Sequence, residues 1–173
     1  MEEKVGLKIR VLGDPVLRKK ARPVSRITSE HRQILSQMSS AMYGGVGIGL
    51  AAPQVGISEQ LIIVDIGEGL YKLINPRIIK KQGTQSISEG CLSVPGICIK
   101  VKRAKHVWIE AKDENNQPLK IEAKDLFACV LQHEIDHLKG KLIVDYASFL
   151  DKLRIKRKLM LLRSGTRVCK LQL

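Results

Sequence analysis

Two histidines four residues apart, with a glutamate after the first, form an HExxH pattern in His133-Glu134-Ile135-Asp136-His137. On a helix, residues i and i+4 share one face a turn apart, so both imidazoles reach a single metal ion. Glu134 then stands beside a metal-bound water and serves as its general base. The pattern leaves one ligand open. A third histidine six residues on is one solution for such motifs, but position 143 is Ile, and the acids further downstream are Asp145 and Asp151 alone. The missing donor therefore lies upstream. Cys91 is the best placed, in the strand-ending loop Glu89-Gly90-Cys91-Leu92-Ser93, after a glycine that permits an unusual backbone angle. A free cysteine is more often a small buried hydrophobe, and Cys98, Cys129 and Cys169 are assigned to that class.

A third segment, Gly47-Ile48-Gly49-Leu50-Ala51-Ala52-Pro53-Gln54, has glycines that suggest a phosphate loop. It lacks the Lys-Ser/Thr that such a loop needs and follows a helix instead of a strand. It reads better as backbone passing close to a ligand, ending in a glutamine whose amide can donate to a developing oxyanion.

Together, GIGLAAPQ at 47–54, EGCLS at 89–93 and QHEIDHLKG at 132–140 resemble the three motifs of the peptide deformylase family, in order. Softer similarity runs from about residue 8 to residue 160. The resemblance implies removal of the N-formyl group from the formyl-methionine of nascent chains. It makes Cys91, His133 and His137 the metal ligands and Glu134 the catalytic acid–base. It implies that the Gln54 side chain and the Leu92 backbone N–H stabilise the oxyanion. Gly49 would hold the peptide backbone, with Ile48, Cys129 and His133 near the methionine side chain, and Glu89 and Gln132 in support. The implied cofactor is one divalent ion, Fe2+ in most relatives, with Zn2+, Ni2+ or Co2+ able to occupy the site. Many relatives carry an arginine shortly after the second motif; here that stretch is Val94-Pro95-Gly96-Ile97-Cys98.

These residues need elements to position them. Leu35, Met38 and Met42 at helical spacing predict a helix over 29–42, with Thr28 or Ser29 as its cap and Gly44-Gly45 as its stop. A glycine-punctuated loop follows over 44–56. Short strands are expected at 61–65, 71–75 and 77–81, with Asn75-Pro76 as a turn between the last two. Alternation predicts a strand over 106–112, a turn at 113–117 and a returning strand at 119–123. The helix bearing HExxH is expected over 124–138, with Gly140 as its C-terminal cap, and a last helix over 148–162. Helices before and after a group of strands, without βαβ alternation, predict an α+β fold: antiparallel sheets around a central helix, with a helix at the C-terminus. Residues 1–150 read as the catalytic part and 151–173 as a basic helix and tail of the same single domain.

The chain has 173 residues, 44% of them hydrophobic, and only 3% aromatic. That length buries an adequate core without a metal or disulfide staple, so a metal here serves chemistry. The four cysteines have no framework spacing, and the N-terminus lacks a hydrophobic leader; both predict a cytoplasmic protein with no membrane span. The net charge of +13 draws on a tail containing Lys152, Arg154, Lys156, Arg157, Lys158, Arg163, Arg167 and Lys170 and no acid after Asp151. Such a segment is either a solvated face or a contact for the ribosome near its exit tunnel. A metallopeptidase is the nearest rival reading. A basic RNA-binding protein with a structural metal is less favoured, because structural zinc takes four ligands and aromatic stacking residues are scarce.

Overall fold

The computed structural model describes residues 6–153 and 155–156. Among these residues, seven strands are arranged in two antiparallel sheets: β1 (Gly49–Ala51), β2 (Leu61–Val64), β3 (Tyr71–Gln82), β6 (His106–Lys112) and β7 (Pro118–Lys124) in the order β1-β2-β3-β6-β7, and β4 (Gln85–Glu89) with β5 (Ile99–Arg103). Helix α1 (Ser29–Gly44) precedes the strands, and α2 (Asp125–Leu138) follows them. This is the α+β arrangement expected from the order of elements.

The two helices cover opposite faces of the larger sheet, which explains why β2 is apolar at every position. Ile62 and Val64 join Leu73, Val107 and Ile109 against Leu131, Ile135 and Leu138 of α2. Leu61 and Ile63 point the other way, to Leu35, Met38 and Met42 of α1. All of these side chains are buried, and each contributes roughly 1.5–3 kcal/mol by leaving water. A third cluster sits behind the small sheet, where Val94, Ile97, Ile99 and Val101 pack against Ile143, Ala147 and Ile155.

Several local details differ from the sequence reading. Asn75-Pro76 does not end a strand: β3 continues through it, and the register against β6 shifts between Ile74 and Arg77. Asn75 takes the excess turn at φ +53, while its side-chain amide exchanges two hydrogen bonds with the Val24 backbone. The 44–56 loop contains β1 and a 3-10 turn over Ala52–Val55. Strand β4 stands where the loop at 89–93 was read as ending a strand, and β5 was not anticipated. No linker separates β7 from α2, because Asp125 at φ +50 turns the chain directly from strand into helix. Thr28 does cap α1, its N–H donating to His31 Nδ1 at 3.1 Å, and Gly140 follows α2 at φ +72. The expected C-terminal helix is present over 149–153 and 155–156; the rest of it, and the cations from Arg157 onward, lie outside the described residues. Among the described residues no helix is long and apolar enough to cross a membrane.

Candidate metal centre

Helix α2 buries both histidines because they face the sheets: His133 is 9% exposed and His137 1%. Their Nε2 atoms lie 3.1 Å apart. Cys91, on the loop after β4, brings its Sγ to 3.3 Å from His137 Nε2. The three donor atoms lie within 4.8 Å of one another. Tetrahedral ligands about 2.0–2.3 Å from a zinc-like ion stand roughly 3.3–3.7 Å apart, so this cluster fits a divalent cation with little movement.

The two imidazoles differ in their electrostatics. Burial opposes charge on His133, but hydrogen bonds to Cys91 and Glu89, with Glu134 nearby, hold its pKa well above the ordinary value. His137 is pushed well below it by burial and by the positive His133 beside it.

Glu134 is not one of the three. It is 3% exposed, and its Oε2 finds no hydrogen-bond partner among the described residues. Burial pushes its carboxyl up to about 7, against the pull of His133. Gly49 of β1 lies directly against it: a Cβ there would collide with Glu134 Oε1 and stand 2.9 Å from Val130 Cγ1. Only glycine lets β1 pass so close to the carboxylate.

Strand β1 is an edge strand. The Ile48 carbonyl accepts from Asp65 N at 2.9 Å, and Gly49 faces Val64 in the next register position. Successive residues of an antiparallel pair alternate between facing the partner and facing away. The Gly49 backbone groups therefore point to the free edge. Ala51, two residues on, has the same orientation, and its N–H donates to Gln54 Oε1 at 2.8 Å. That bond fixes the Gln54 amide, whose Nε2 is directed to Cys91 Sγ (3.6 Å) and Ser93 Oγ (3.2 Å). The Leu92 side chain is seated against the glycine loop, where a Cβ on Gly47 would be 2.8 Å from Leu92 Cδ1.

The other expected residues separate in character. Ile48 is 45% exposed. Cys129 is buried, and Gln85 Nε2 donates to its Sγ at 3.2 Å. Cys98 is exposed, not buried as expected, because β5 begins one residue later with Ile99 turned inward; Cys169 lies outside the described residues. Glu89 Oε2 is 2.9 Å from His133 Nδ1. Gln132 clamps Ala104, accepting from its N–H and donating to its carbonyl.

Three neighbours were missed by sequence reasoning. Arg103, 6% exposed, grips both Glu89 oxygens at 2.7 and 2.8 Å and also donates to Asp136 Oδ2. Tyr146 donates to that same oxygen at 2.6 Å. Burial and the Asp136 contact push the Tyr146 phenol up to about 12, so it keeps its proton at neutral pH. One signal was available: in Ile99-Lys100-Val101-Lys102-Arg103, alternation puts Arg103 on the inward face with Ile99 and Val101.

A buried HExxH helix beside a cysteine loop and an edge strand defines a metal-dependent hydrolase fold. The polypeptide deformylase family matches residues 6–153, and the chain belongs to that family. Peptide deformylase of Syntrophomonas wolfei is 54% identical over 132 residues, spanning 76% of this chain and 87% of that one. A crystal structure of a peptide deformylase from Legionella pneumophila superposes with a TM-score of 0.87 at 38% identity, covering 94% of this chain and 99% of that one. That of Synechococcus elongatus in complex with actinonin gives 0.84 at 41% identity, covering 97% and 92%. The activity that goes with the family, hydrolytic removal of the N-formyl group from nascent peptides, is that of this chain.

Proposed function

We propose that Cys91, His133 and His137 hold one divalent ion, Fe2+ as the resident metal, and that Glu134, Gln54 and Leu92 carry out deformylation beside it. The observation that carries this reading is the buried Glu134 carboxylate next to a three-donor cluster and against Gly49 of the edge strand β1. A cation held there supplies Lewis acidity, lowering the pKa of a water toward neutrality and polarising a carbonyl. Glu134 accepts the proton as the water oxygen attacks the formyl carbon, then delivers a proton to the departing amine nitrogen as the C–N bond breaks. Formate and a free N-terminus leave, and one water is consumed. Gln54 Nε2 and the Leu92 N–H donate to the oxygen on which negative charge develops, each such donor being worth roughly 3 kcal/mol. The substrate backbone pairs with Gly49 along the free edge of β1, as an added strand. Ile48 and Cys129 offer apolar surface to the methionine side chain, with His133 and Glu89 beneath.

Formyl-Met-Ala-Ser should release formate in proportion to bound metal, and the unblocked peptide should remain intact. Internal cleavage without formate release would favour the metallopeptidase reading.

The basic C-terminal segment is a contact for ribosomal RNA. Its described start supports this: Ile155 is buried on the domain while Lys152 and Lys156 are exposed. The substrate emerges from the ribosome, so weak docking there raises its local concentration. Charge reversal at Arg154, Arg157, Lys158 and Arg163 should leave turnover of a short formyl peptide near normal and abolish salt-sensitive ribosome binding. Undiminished binding at low salt would reduce the segment to a solvated surface. Cytoplasmic localisation follows from the same reading.

A further inference from the structure

We infer that Arg103 is a positioning residue for the metal site, acting through Glu89 on one side and braced by Asp136 and Tyr146 on the other. The inference rests on reading His133 as a metal ligand. Glu89 Oε2 is shared: it receives Arg103 Nη2 at 2.8 Å and lies 2.9 Å from His133 Nδ1. Arg103 Nε holds the other oxygen at 2.7 Å. A planar guanidinium bonded to both oxygens fixes the plane of the carboxylate. That plane sets the direction of the His133 Nδ1–H bond, and through the ring it sets where Nε2 points.

The guanidinium is itself held at two further points, Asp136 and the Tyr146 ring. Its Nη1 donates to Asp136, the residue before His137 on the same helix. Tyr146 donates to that same Asp136 oxygen at 2.6 Å, and its ring lies 4.9 Å from the guanidinium carbon. Gln132 grips both backbone groups of Ala104, at 3.1 and 2.9 Å, fixing the chain next to Arg103. Residues 132, 133 and 136 of α2 are thus tied to the β4–β5 hairpin and the residue after it, through the Ala104 backbone, Glu89 and Arg103 in turn. Arg103 also offsets charge: without it, the buried Glu89 and half-buried Asp136 carboxylates would lose the guanidinium they share. A lysine supplies the charge but not the fork, so Arg103→Lys separates the two contributions.

A buried ion pair that serves the fold alone is the competing explanation, so the test needs readouts that stability does not move. Wild type, Arg103→Lys, Asp136→Asn and Tyr146→Phe would each be loaded with cobalt(II). Three quantities would be measured: the rate of metal transfer to a chelator, the visible absorption of the cobalt form, and kcat and KM for formyl-Met-Ala-Ser. We expect Arg103→Lys to release metal about 10–100-fold faster, with shifted cobalt bands and a lower kcat at nearly unchanged KM. Asp136→Asn and Tyr146→Phe should show the same changes in smaller measure, and they carry the test should Arg103→Lys fail to fold. Folded variants with the wild-type release rate and wild-type cobalt spectrum, whatever their melting temperatures, would overturn the assignment. Failure of the ligand reading is separable, since wild type itself would then bind no stoichiometric cobalt.

Discussion

Glu134→Ala should retain its full complement of metal and lose at least about a hundredfold in kcat. Metal retention is expected because the three donor atoms belong to Cys91, His133 and His137, and the Glu134 carboxylate is outside that set. The loss of rate follows from the carboxylate's position and its proton affinity. It is buried with Oε2 unpartnered, and burial raises its pKa to about 7, against the effect of His133. A general base works best when its pKa lies near the operating pH, and such catalysis contributes typically about 10²–10⁴-fold. Glu134→Gln keeps the shape and the close contact with Gly49 while removing the base, so it should be as inactive as the alanine variant. Metal analysis beside formate release reads both properties in one preparation. More than about a tenth of wild-type turnover with full metal would assign the proton transfer to another group.

Much of this site was legible in the chain because its chemistry is carried by short, local patterns. The i, i+4 geometry of a helix guarantees that His133 and His137 meet, and α2 runs from Asp125 to Leu138 much as their spacing requires. The third donor of the cluster, Cys91, was reachable by asking which donor the downstream sequence fails to supply. The supporting residues were harder because they are paired across the fold. Arg103 and Asp136 are 33 residues apart in sequence, and nothing in either segment announces the other. Alternation in β5 marked Arg103 as inward-facing, and a buried arginine requires carboxylate partners. The missed β4–β5 hairpin hid that clue. Its Lys100 and Lys102 are exposed, while Ile99 and Val101 turn to the core.

The bulge at Asn75-Pro76 shows a different limit. Asn-Pro is a turn signal, and the backbone does turn there, with Asn75 at positive φ. What the dipeptide does not encode is that Val24 is waiting to bond the asparagine amide on both sides. With those bonds made, the strand absorbs the irregularity and resumes pairing with β6 at Arg77. A tertiary contact decided between a bulge and a turn.

Cys91→Ser should lose the metal, where Cys98→Ser should not. Cys91 Sγ lies 3.3 Å from His137 Nε2 and receives Gln54 Nε2 at 3.6 Å, so it belongs to the donor cluster. Cys98 is exposed and forms no part of that cluster. Serine preserves the shape of the side chain but replaces a soft thiolate with a hydroxyl that hardly ionises near neutral pH. Soft and borderline ions bind thiolate strongly, so the exchange should be felt most with Fe2+, Zn2+ and Co2+. Loss of a supporting partner to a ligand costs about 10–100-fold in affinity, and loss of a ligand should cost at least that much. Competition with a chromogenic chelator measures it directly. Activity should fall in step with occupancy and recover partly when excess metal is supplied. The thiolate has a second consequence: oxidation of Cys91 removes the ligand, so the iron-loaded protein should lose activity in air faster than the zinc-loaded form. Cys91→Ser with full occupancy and unchanged turnover would take the sulfur out of the coordination sphere. The two imidazoles would then need a different third partner, and Glu134, a buried carboxylate outside the present cluster, would be the group to test.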